Sequence, residues 1–225
     1  MRRRSSAWLV GGLTVLLSAA GALGQGTFQN LDFEQARIIP IVGNPLYPEA
    51  VATTNALPGW TAYIGGSPVD VVLHDDVSLG AALVSIHDSN SVVTVIQGRY
   101  TVQLQPSYPG GATSAAVGQV GTVPNTAQSI RFYGNGPISA SFAGQQIPLS
   151  VLGSGSSYTV YGGDISAFAG QTGELRFQGI VAPFGFGSSL DNIFFSDLPV
   201  PEPSTFGLFA LGALLLGWRV LGRRR

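Results

Sequence analysis

Between residues 27 and 196 the chain repeats one pattern: a short run rich in β-branched and aromatic residues, followed by a turn of glycine, proline, serine or asparagine. With 31 Gly and 14 Pro among 225 residues, such turns end most runs before they reach the length of an ordinary helix. Runs of about four to eight residues with these boundaries are typical of strands. The pattern therefore predicts an all-β protein and excludes a coiled coil or a long-helix protein.

Twelve runs are predicted to form strands. They are 27–33, 59–64, 69–73, 82–86, 92–96, 100–104, 128–133, 138–142, 147–152, 157–161, 173–180 and 189–196. Many short strands at this spacing favour a single antiparallel β-sandwich, for which residues 25–198 provide enough chain. One helical turn is predicted at 164–169, with Asp164 as its N-cap.

The run that begins at residue 100 alternates strictly. Its apolar members are Tyr100, Val102 and Leu104, and its polar members are Thr101, Gln103 and Gln105. Because successive side chains of a strand point to opposite faces, the apolar set is predicted to face the core and the polar set to face water.

The charged residues are few and unevenly placed. They make up 10% of the chain, every one of the eleven cations is arginine, and the formal net charge is −1. Seven arginines lie within residues 1–4 and 219–225, so the segment 25–198 carries four arginines against eleven carboxylates. A surface of this sign repels phosphate, which excludes nucleic acid as a partner. The chain has no cysteine, which excludes disulfides, thiolate zinc sites and cysteine nucleophiles.

Residues 1–24 have the three regions of a secretory signal peptide. Arginines at 2–4 supply the positive start, residues 7–17 the apolar segment, and a run of small residues ending at Gly24 suits signal peptidase. Cleavage is predicted after Gly24 or after Ala22. The apolar run is shorter than the roughly 20 residues that span a bilayer, which favours a cleaved leader over the alternative, an uncleaved anchor.

Residues 199–225 divide into a polar motif, an apolar stretch and a basic end. The motif is Val200, Pro201, Glu202, Pro203 and Ser204, and the basic end contains Arg223, Arg224 and Arg225. The two prolines favour an extended, exposed backbone. With the residues up to 222 included, the apolar stretch is just long enough for one transmembrane helix. Because clustered arginines stay cytoplasmic, the segment before Val200 is expected outside the inner membrane.

This three-part tail resembles the PEP-CTERM sorting signal of Gram-negative bacteria. The resemblance rests on Pro201, Glu202 and Pro203 with the apolar stretch and the arginine cluster behind them, and it covers about the last 26 residues. It implies transient anchoring in the inner membrane, processing by an exosortase near the motif, and delivery to the cell surface or extracellular matrix. The alternative is an ordinary C-terminal anchor that is never processed.

The segment before the tail resembles the galactose-binding-like jelly rolls of carbohydrate-binding modules and bacterial surface proteins. The residues that carry this resemblance are 30–34, 57–60, 164–170, 174–177 and 190–193. It implies a jelly-roll-like β-sandwich in which the first and last strands pair.

The same resemblance implies a structural calcium ion where the two terminal strands meet. Glu34 and Asp191 are the predicted ligands, because Ca²⁺ takes about six to eight hard oxygen atoms. In the alternative interpretation, Glu34 is an exposed carboxylate and Asp191 is a turn residue bonded to its own backbone.

Two aromatic residues are candidates for binding an extracellular polysaccharide. Sugars stack their C–H faces on flat rings, so Trp60 and Tyr63 on a face or rim of the sandwich would provide a contact surface. The alternative for Trp60, which follows Pro-Gly, is a position in the core.

Patterns that indicate catalysis are few. His74 and His87 each precede an aspartate, but neighbours on a strand point to opposite faces, so the spacing alone predicts no paired site. These dipeptides are interpreted as ordinary loop residues, with a metal site as the alternative. Neither a nucleophile elbow nor a phosphate-binding loop occurs.

The sequence therefore predicts a non-catalytic exported protein of the cell surface or extracellular matrix, with glycan binding or adhesion as its candidate activity. The alternative is a secreted hydrolase that acts on polysaccharide and uses carboxylates as acid and base.

Overall fold

The structure is a computed structural model that describes residues 25–43, 48–181 and 187–201. Within these ranges it contains fourteen strands. They are β1 (Ala50–Ala52), β2 (Thr61–Ile64), β3 (Ser67–Val69), β4 (Val71–His74), β5 (Leu83–His87), β6 (Thr101–Gln105), β7 (Ala115–Thr122), β8 (Ser129–Asn135), β9 (Ile138–Phe142), β10 (Gln145–Ile147), β11 (Leu149–Ser154), β12 (Thr159–Asp164), β13 (Thr172–Gly179) and β14 (Ser188–Ser196). The helix α1 (Thr53–Ala56) is a single turn, and a 3-10 turn spans Ser166–Phe168.

The strands form two sheets. The eight-stranded sheet has the order β1-β4-β5-β6-β14-β8-β12-β11, and the six-stranded sheet has the order β10-β9-β13-β7-β2-β3. The described pairs are antiparallel except β4 and β5, which run parallel. An all-β, antiparallel β-sandwich is therefore confirmed, with one parallel pair that the sequence did not predict.

Large apolar side chains from both sheets fill the space between them. Along β8 the alternate residues Ile130 and Phe132 are buried, and along β13 Leu175 and Phe177 are buried in the same way. The rings of Phe132 and Phe177 come from opposite sheets and meet edge to face, with centroids 5.0 Å apart. This geometry is favourable for aromatic rings and identifies the face-to-face packing of a sandwich.

Ten of the twelve predicted runs contain strands, and the run 138–142 coincides with β9. The predictions at 27–33 and 92–96 are wrong, since both segments lack strand structure. The second lies between β5 and β6 in sequence. These strands offer it no free edge, because β5 pairs with β4 and β6, and β6 pairs with β5 and β14. Val92 is accordingly 86% exposed, which is unusual for a β-branched residue of a strand.

β7 is the longest strand that the sequence analysis missed. It is rich in glycine and alanine, which are depleted in strands, yet it lies between β13 and β2 inside the six-stranded sheet. Its glycines make room for neighbours: a Cβ on Gly121 would lie 2.7 Å from the ring of Phe28, and one on Gly118 would lie 2.6 Å from Glu174 Oε1. β7 therefore contains residues of low β-propensity because side chains from other segments pack across its backbone and need the space.

The first described segment lies against the last strand without forming a strand itself. Asn30 and Phe33 have positive φ angles of 50° and 59°, which break the extended conformation. The N–H of Ile193 in β14 donates to the carbonyl of Leu31 over 2.9 Å. The expected contact between the two ends of the domain is present, but the pairing of two strands is not.

The predicted helical turn at 164–169 contains the 3-10 turn. Asp164 Oδ1 accepts hydrogen bonds from the backbone N–H and the hydroxyl of Ser166, at 2.8 and 2.7 Å. The carboxylate satisfies a donor at the start of the turn, as an N-cap does, although the residue at the cap position is Ile165. These bonds favour the charged form and lower the pKa of Asp164.

The predicted signal peptide, residues 1–24, lies outside the described residues, as do the predicted membrane helix and the arginines at 223–225. Within the described ranges, no helix has the length and apolar character needed to span a bilayer.

We expect Gly179→Ala to destabilise the sandwich. Gly179 ends β13 where this strand passes the backbone of β6, and a Cβ atom there would overlap the carbonyl oxygen of Leu104. Because backbone cannot yield as a flexible side chain can, the free energy of unfolding should fall by about 1–3 kcal/mol. Urea unfolding of the full-length protein in mild detergent measures this change.

Gly153→Ala is the matched control, because a Cβ on Gly153 meets nothing within 4 Å. Its free energy of unfolding should stay within about 0.5 kcal/mol of the wild type. Equal stability of the two variants would contradict the close approach of β13 and β6.

Candidate functional site

The two His-Asp dipeptides meet where two neighbouring strands of the eight-stranded sheet end. β4 ends at His74 and β5 ends at His87, and the two strands are parallel neighbours in which His74 pairs with Ile86. The chain therefore leaves both strands at the same end of the sheet. Asp75 has a positive φ of 53°, so the strand alternation stops there and its carboxylate lies beside the imidazole of His74. The interpretation of these dipeptides as ordinary loop residues is wrong for His74 and His87, which end strands, while Asp75 and Asp88 follow the strands as loop residues.

Three side chains converge at this end of the sheet and are called the trio below: His74, Asp75 and Asp88. His74 Nε2 lies 3.3 Å from Asp75 Oδ2 and 3.4 Å from Asp88 Oδ2. The ligand-type atoms of the three residues all lie within 4.8 Å of one another. The side chains are 13–17% exposed, so the trio lies at the surface but is largely shielded from water.

Hydrogen bonds orient both carboxylates of the trio. Asp75 Oδ1 accepts the backbone N–H of Asp88 over 2.9 Å. Asp88 Oδ1 accepts the backbone N–H and the side-chain amide of Asn90, at 2.8 and 2.9 Å. In each residue one oxygen is thus held by donors while the other, Oδ2, faces His74.

The two aspartates differ in their titration. Burial raises the pKa of Asp75, and the N–H of Asp88 opposes this shift. The pKa of Asp88 is lowered, chiefly because the N–H of Asn90 stabilises its charged form.

His87 lies behind the trio and is fully buried. Its Nε2 lies 2.7 Å from the hydroxyl of Ser85 and its Nδ1 lies 2.7 Å from the hydroxyl of Ser91. Hydroxyls can both donate and accept, so a neutral imidazole is satisfied on both sides. Burial lowers the pKa of His87 to about 4, which keeps it neutral at physiological pH.

His87 belongs to a buried polar layer on the outer face of the eight-stranded sheet. The layer consists of Ser85, His87, Thr101, Gln103 and Gln105, all under 7% exposed. The expectation that the polar residues of β6 face water is therefore wrong. They do point away from the core, but the loops after β4 and β5 cover them. One such contact is the amide of Gln105, which donates to the carbonyl of Ser78 over 2.6 Å.

A cavity of about 450 Å³ opens beside this layer. Gln103 and Gln105 provide amide groups, and Leu79, Val92 and Tyr108 provide apolar or aromatic walls. Tyr108 is 43% exposed, so its ring is accessible to a bound molecule.

Glu34 and Asp191 hold the end of the loop that precedes β6. Glu34 Oε1 accepts the N–H groups of Arg99 and Tyr100, at 2.8 and 3.1 Å. Asp191 Oδ2 accepts the N–H of Gln97 over 3.0 Å and the hydroxyl of Thr101 over 2.7 Å. The two carboxylates thus fix the stretch from Gln97 to Thr101 by hydrogen bonds.

Asp191 is buried while Glu34 is exposed. Burial raises the pKa of Asp191 to about 7, although its hydrogen bonds favour the charged form. The contacts described for both carboxylates are to N–H and O–H donors, and they give no sign of the oxygen-rich shell that calcium takes. A calcium ion at Glu34 and Asp191 stays a prediction.

Trp60 fills the core and is 4% exposed. Its ring lies 5.5 Å from that of Phe33 and 6.3 Å from that of Phe177, and its N–H donates to the carbonyl of Asn30 over 2.9 Å. No face of the ring is available to a sugar. Trp60 therefore lies in the core, as the alternative interpretation predicts. The prediction that its ring contacts a glycan is wrong.

Tyr63 lies on the outer face of the six-stranded sheet. Its hydroxyl donates to Glu174 Oε1 over 2.7 Å, and the guanidinium of Arg176 lies 3.9 Å from the centre of its ring. Burial raises the pKa of Tyr63, and the nearby carboxylate adds to the shift. Arg176 covers one face of the ring, so a sugar would have to displace it or use the opposite face.

The chain leaves the sandwich along a fixed path. The carbonyl of Leu198 accepts hydrogen bonds from the hydroxyl of Ser129, over 2.7 Å, and from Arg131 Nη2, over 3.3 Å. Arg131 also donates to the carbonyl of Pro199 over 3.4 Å. Val200 and Pro201 follow without strand or helix structure, while Glu202, Pro203 and Ser204 lie outside the described residues.

Residues 199–225 match the family model described as the PEP-CTERM protein-sorting motif. This chain carries a PEP-CTERM sorting motif. The predicted resemblance of the tail is thereby confirmed. The PEP-CTERM motif implies an exported protein that is anchored and sorted at the membrane, with an exosortase as its processing partner.

No curated protein matches this PEP-CTERM chain. Three solved structures are similar at low level. The enzymatically active domain of tailspike protein 4 from bacteriophage CBA120 is 14% identical with a TM-score of 0.39, covering 76% of this chain and 21% of that one. A cyclase from Fischerella sp. TAU is 16% identical with a TM-score of 0.38, covering 75% and 94%. The Stig cyclase Fisc from the same organism, bound to a pyrrolidinylidene indole, is 15% identical with a TM-score of 0.42, covering 78% and 98%. Identities and TM-scores as low as these do not indicate a function for this chain.

Sequence reasoning missed the trio because it treated each strand alone. The signal was present: two apolar runs, 71–73 and 83–86, are each followed directly by His-Asp. If both runs are strands, the same dipeptide ends each of them, and parallel pairing brings the two dipeptides together.

His87 and Asp191 predict opposite pH dependences of stability. The pKa of His87 is lowered to about 4, so the unfolded chain binds a proton that the folded chain refuses, and stability is lost as pH falls from about 6.5 to about 4. The pKa of Asp191 is raised to about 7, so the folded chain keeps a proton that the unfolded chain releases, and stability is lost as pH rises from about 4 to about 7.

Urea unfolding from pH 4 to pH 8 tests both effects on the full-length protein. Compared with the wild type, His87→Gln should lose less stability on acidification, and Asp191→Asn should lose less as pH rises. Stability curves of the three proteins that run parallel over this range would contradict both assignments.

Proposed function

We propose that this protein is a non-catalytic β-sandwich displayed at the surface or in the extracellular matrix of a Gram-negative bacterium after exosortase processing at Pro201, Glu202 and Pro203. The observation that carries the proposal is the PEP-CTERM sorting motif at residues 199–225. Signal peptidase cleaves the precursor and the inner membrane holds it transiently. The folded domain is the part that reaches the surface or the matrix.

The position of the tail in the fold supports display from the C-terminus. β14, which leads into the tail, lies between β6 and β8 in the eight-stranded sheet. It pairs with β8 over most of its length and with β6 at its start. A force on the tail therefore acts first on the hydrogen bonds to β8, and release of the whole strand must also break those to β6 at its start.

The non-catalytic assignment is supported by the position of Asp191, one of two described carboxyl groups with a raised pKa, the other being Asp75. Asp191 has its pKa raised to about 7, a value useful for proton transfer. Its side chain is fully buried and accepts three hydrogen bonds, so a substrate oxygen cannot reach it.

We assign the candidate glycan contact to the cavity beside Tyr108. This cavity combines the exposed ring of Tyr108 with apolar walls from Leu79 and Val92. The amides of Gln103 and Gln105 line it but are buried, and the amide of Gln105 is already paired with the backbone of Ser78. A flat, exposed ring is the group on which the C–H face of a sugar stacks.

Sorting is tested by Glu202→Ala and Pro203→Ala in the native host. Intact mass of the protein from envelope and medium should show loss of the C-terminal segment in the wild type. Both variants should keep it and stay in the membrane fraction. Asp197→Ala is the matched control, because it removes an exposed carboxylate five positions before Glu202 and leaves the motif intact. Identical masses and locations for all four proteins would overturn the processing step.

Glycan binding is tested by pull-down of the full-length protein with extracellular polysaccharide from the same host. Tyr108→Ala should reduce retention by about tenfold, whereas Tyr158→Ala should not, because Tyr158 does not line the cavity and stacks on Tyr133 instead. Loss of one stacked ring is worth roughly 1–1.5 kcal/mol, which sets the expected factor. Equal retention of both variants would remove this cavity from the proposal, and release of reducing ends by the wild type would overturn the non-catalytic assignment.

A further inference from the structure

We propose that His74, Asp75 and Asp88 bind a divalent first-row transition-metal ion such as Zn²⁺, through His74 Nε2 and the Oδ2 atoms of the two aspartates. This site is separate from the sorting motif and from the calcium ion predicted at Glu34 and Asp191.

The separation of the trio's atoms fits such an ion. Imidazole nitrogen and carboxylate oxygen lie about 2.0–2.2 Å from Zn²⁺, so two of them at tetrahedral positions are about 3.4 Å apart. The distances from His74 Nε2 to the two Oδ2 atoms are 3.3 and 3.4 Å. These two distances match that spacing, and all the ligand-type atoms of the trio lie within 4.8 Å of one another, so small side-chain rotations are enough to bring the three atoms to one ion.

His74 Nε2 is buried and, among the described residues, has no hydrogen-bond partner. The two carboxylate oxygens are near it, but neither contact has the direction of a hydrogen bond. A buried nitrogen without a partner is costly, and polar atoms in this state are uncommon in folded proteins. A metal ion among the three atoms would satisfy the nitrogen and both oxygens together.

The surrounding hydrogen bonds prepare the two carboxylates for a cation. N–H donors hold Oδ1 of Asp75 and Oδ1 of Asp88, which fixes the plane of each carboxylate and directs Oδ2 toward His74. Outer-shell donors of this kind orient the ligands of metal sites. A cation also offsets the repulsion between two carboxylates that share one small space.

The ligand set indicates the class of metal. An imidazole nitrogen with two carboxylates suits Zn²⁺ and related ions, whereas calcium and magnesium take oxygen ligands. Three protein ligands leave at least one position for water, which is consistent with the 13–17% exposure of the side chains. The bound ion would link the C-terminal ends of the neighbouring strands β4 and β5.

The test is isothermal titration of Zn²⁺ into full-length protein, purified in mild detergent with a tag that contains no histidine and stripped with chelator. The wild type should bind one equivalent. His74→Gln and Asp88→Asn, which keep the side-chain volume, should each weaken binding by about tenfold or more. Asp76→Asn is the matched control: this neighbouring carboxylate lies outside the trio, and its loss should leave the affinity unchanged.

Co²⁺ provides a readout that does not depend on stability. The wild-type and Asp76→Asn proteins should give the intense visible absorption of a four-coordinate site, and His74→Gln should lose it. No saturable Zn²⁺ binding by the wild type, or equal affinities in all variants, would overturn the proposal. Preference of the trio for Ca²⁺ over Zn²⁺ would overturn the assignment of metal class.

Discussion

The contact between the two sheets is the interaction on which the remaining structure depends. Each sheet has one apolar face, and neither face can be buried unless the other covers it. Phe132 and Phe177 make this contact from opposite sheets, and Trp60 packs against the same ring of Phe177. Once this layer is formed, the outer faces are free to differ. The six-stranded sheet carries Tyr63 with its charged neighbours on its outer face, and the eight-stranded sheet carries the buried polar layer.

The sequence predicted well those strands in which apolar and polar residues alternate and the apolar ones are the buried ones. β9 illustrates this, because Ile138, Ala140 and Phe142 are all buried and the residues between them are not. It failed for β7, since the glycines there are required by rings and carboxylates from other parts of the chain. A run of residues records its own preference for a strand, but not which side chain will lie across it.

The candidate site was predictable only in part, for a related reason. The residue types at His74 and His87 were noted, yet their meeting depends on the parallel pairing of β4 with β5, which no local pattern encodes. Likewise, the polar side chains of β6 do leave the core face as predicted, but loops distant in sequence then cover them. Trp60 follows the same rule: its position after Pro-Gly allows either the rim or the core, and packing against Phe33 and Phe177 decides between them.

The loop from Asp88 to Tyr100 joins these observations. It covers a polar layer that water would otherwise reach, and a chain without cysteine cannot hold such a loop with a disulfide. Carboxylates hold it instead. At its start Asp75 and Asp88 bond the backbone as the chain leaves β5, and at its end Asp191 and Glu34 bond the backbone before β6. Two of these four groups belong to the trio, so an ion bound there would strengthen the attachment of the loop at its start. The acidic character of the domain is therefore more than a property of its surface: several of its carboxylates are structural, and the stability of the loop depends on their charge state.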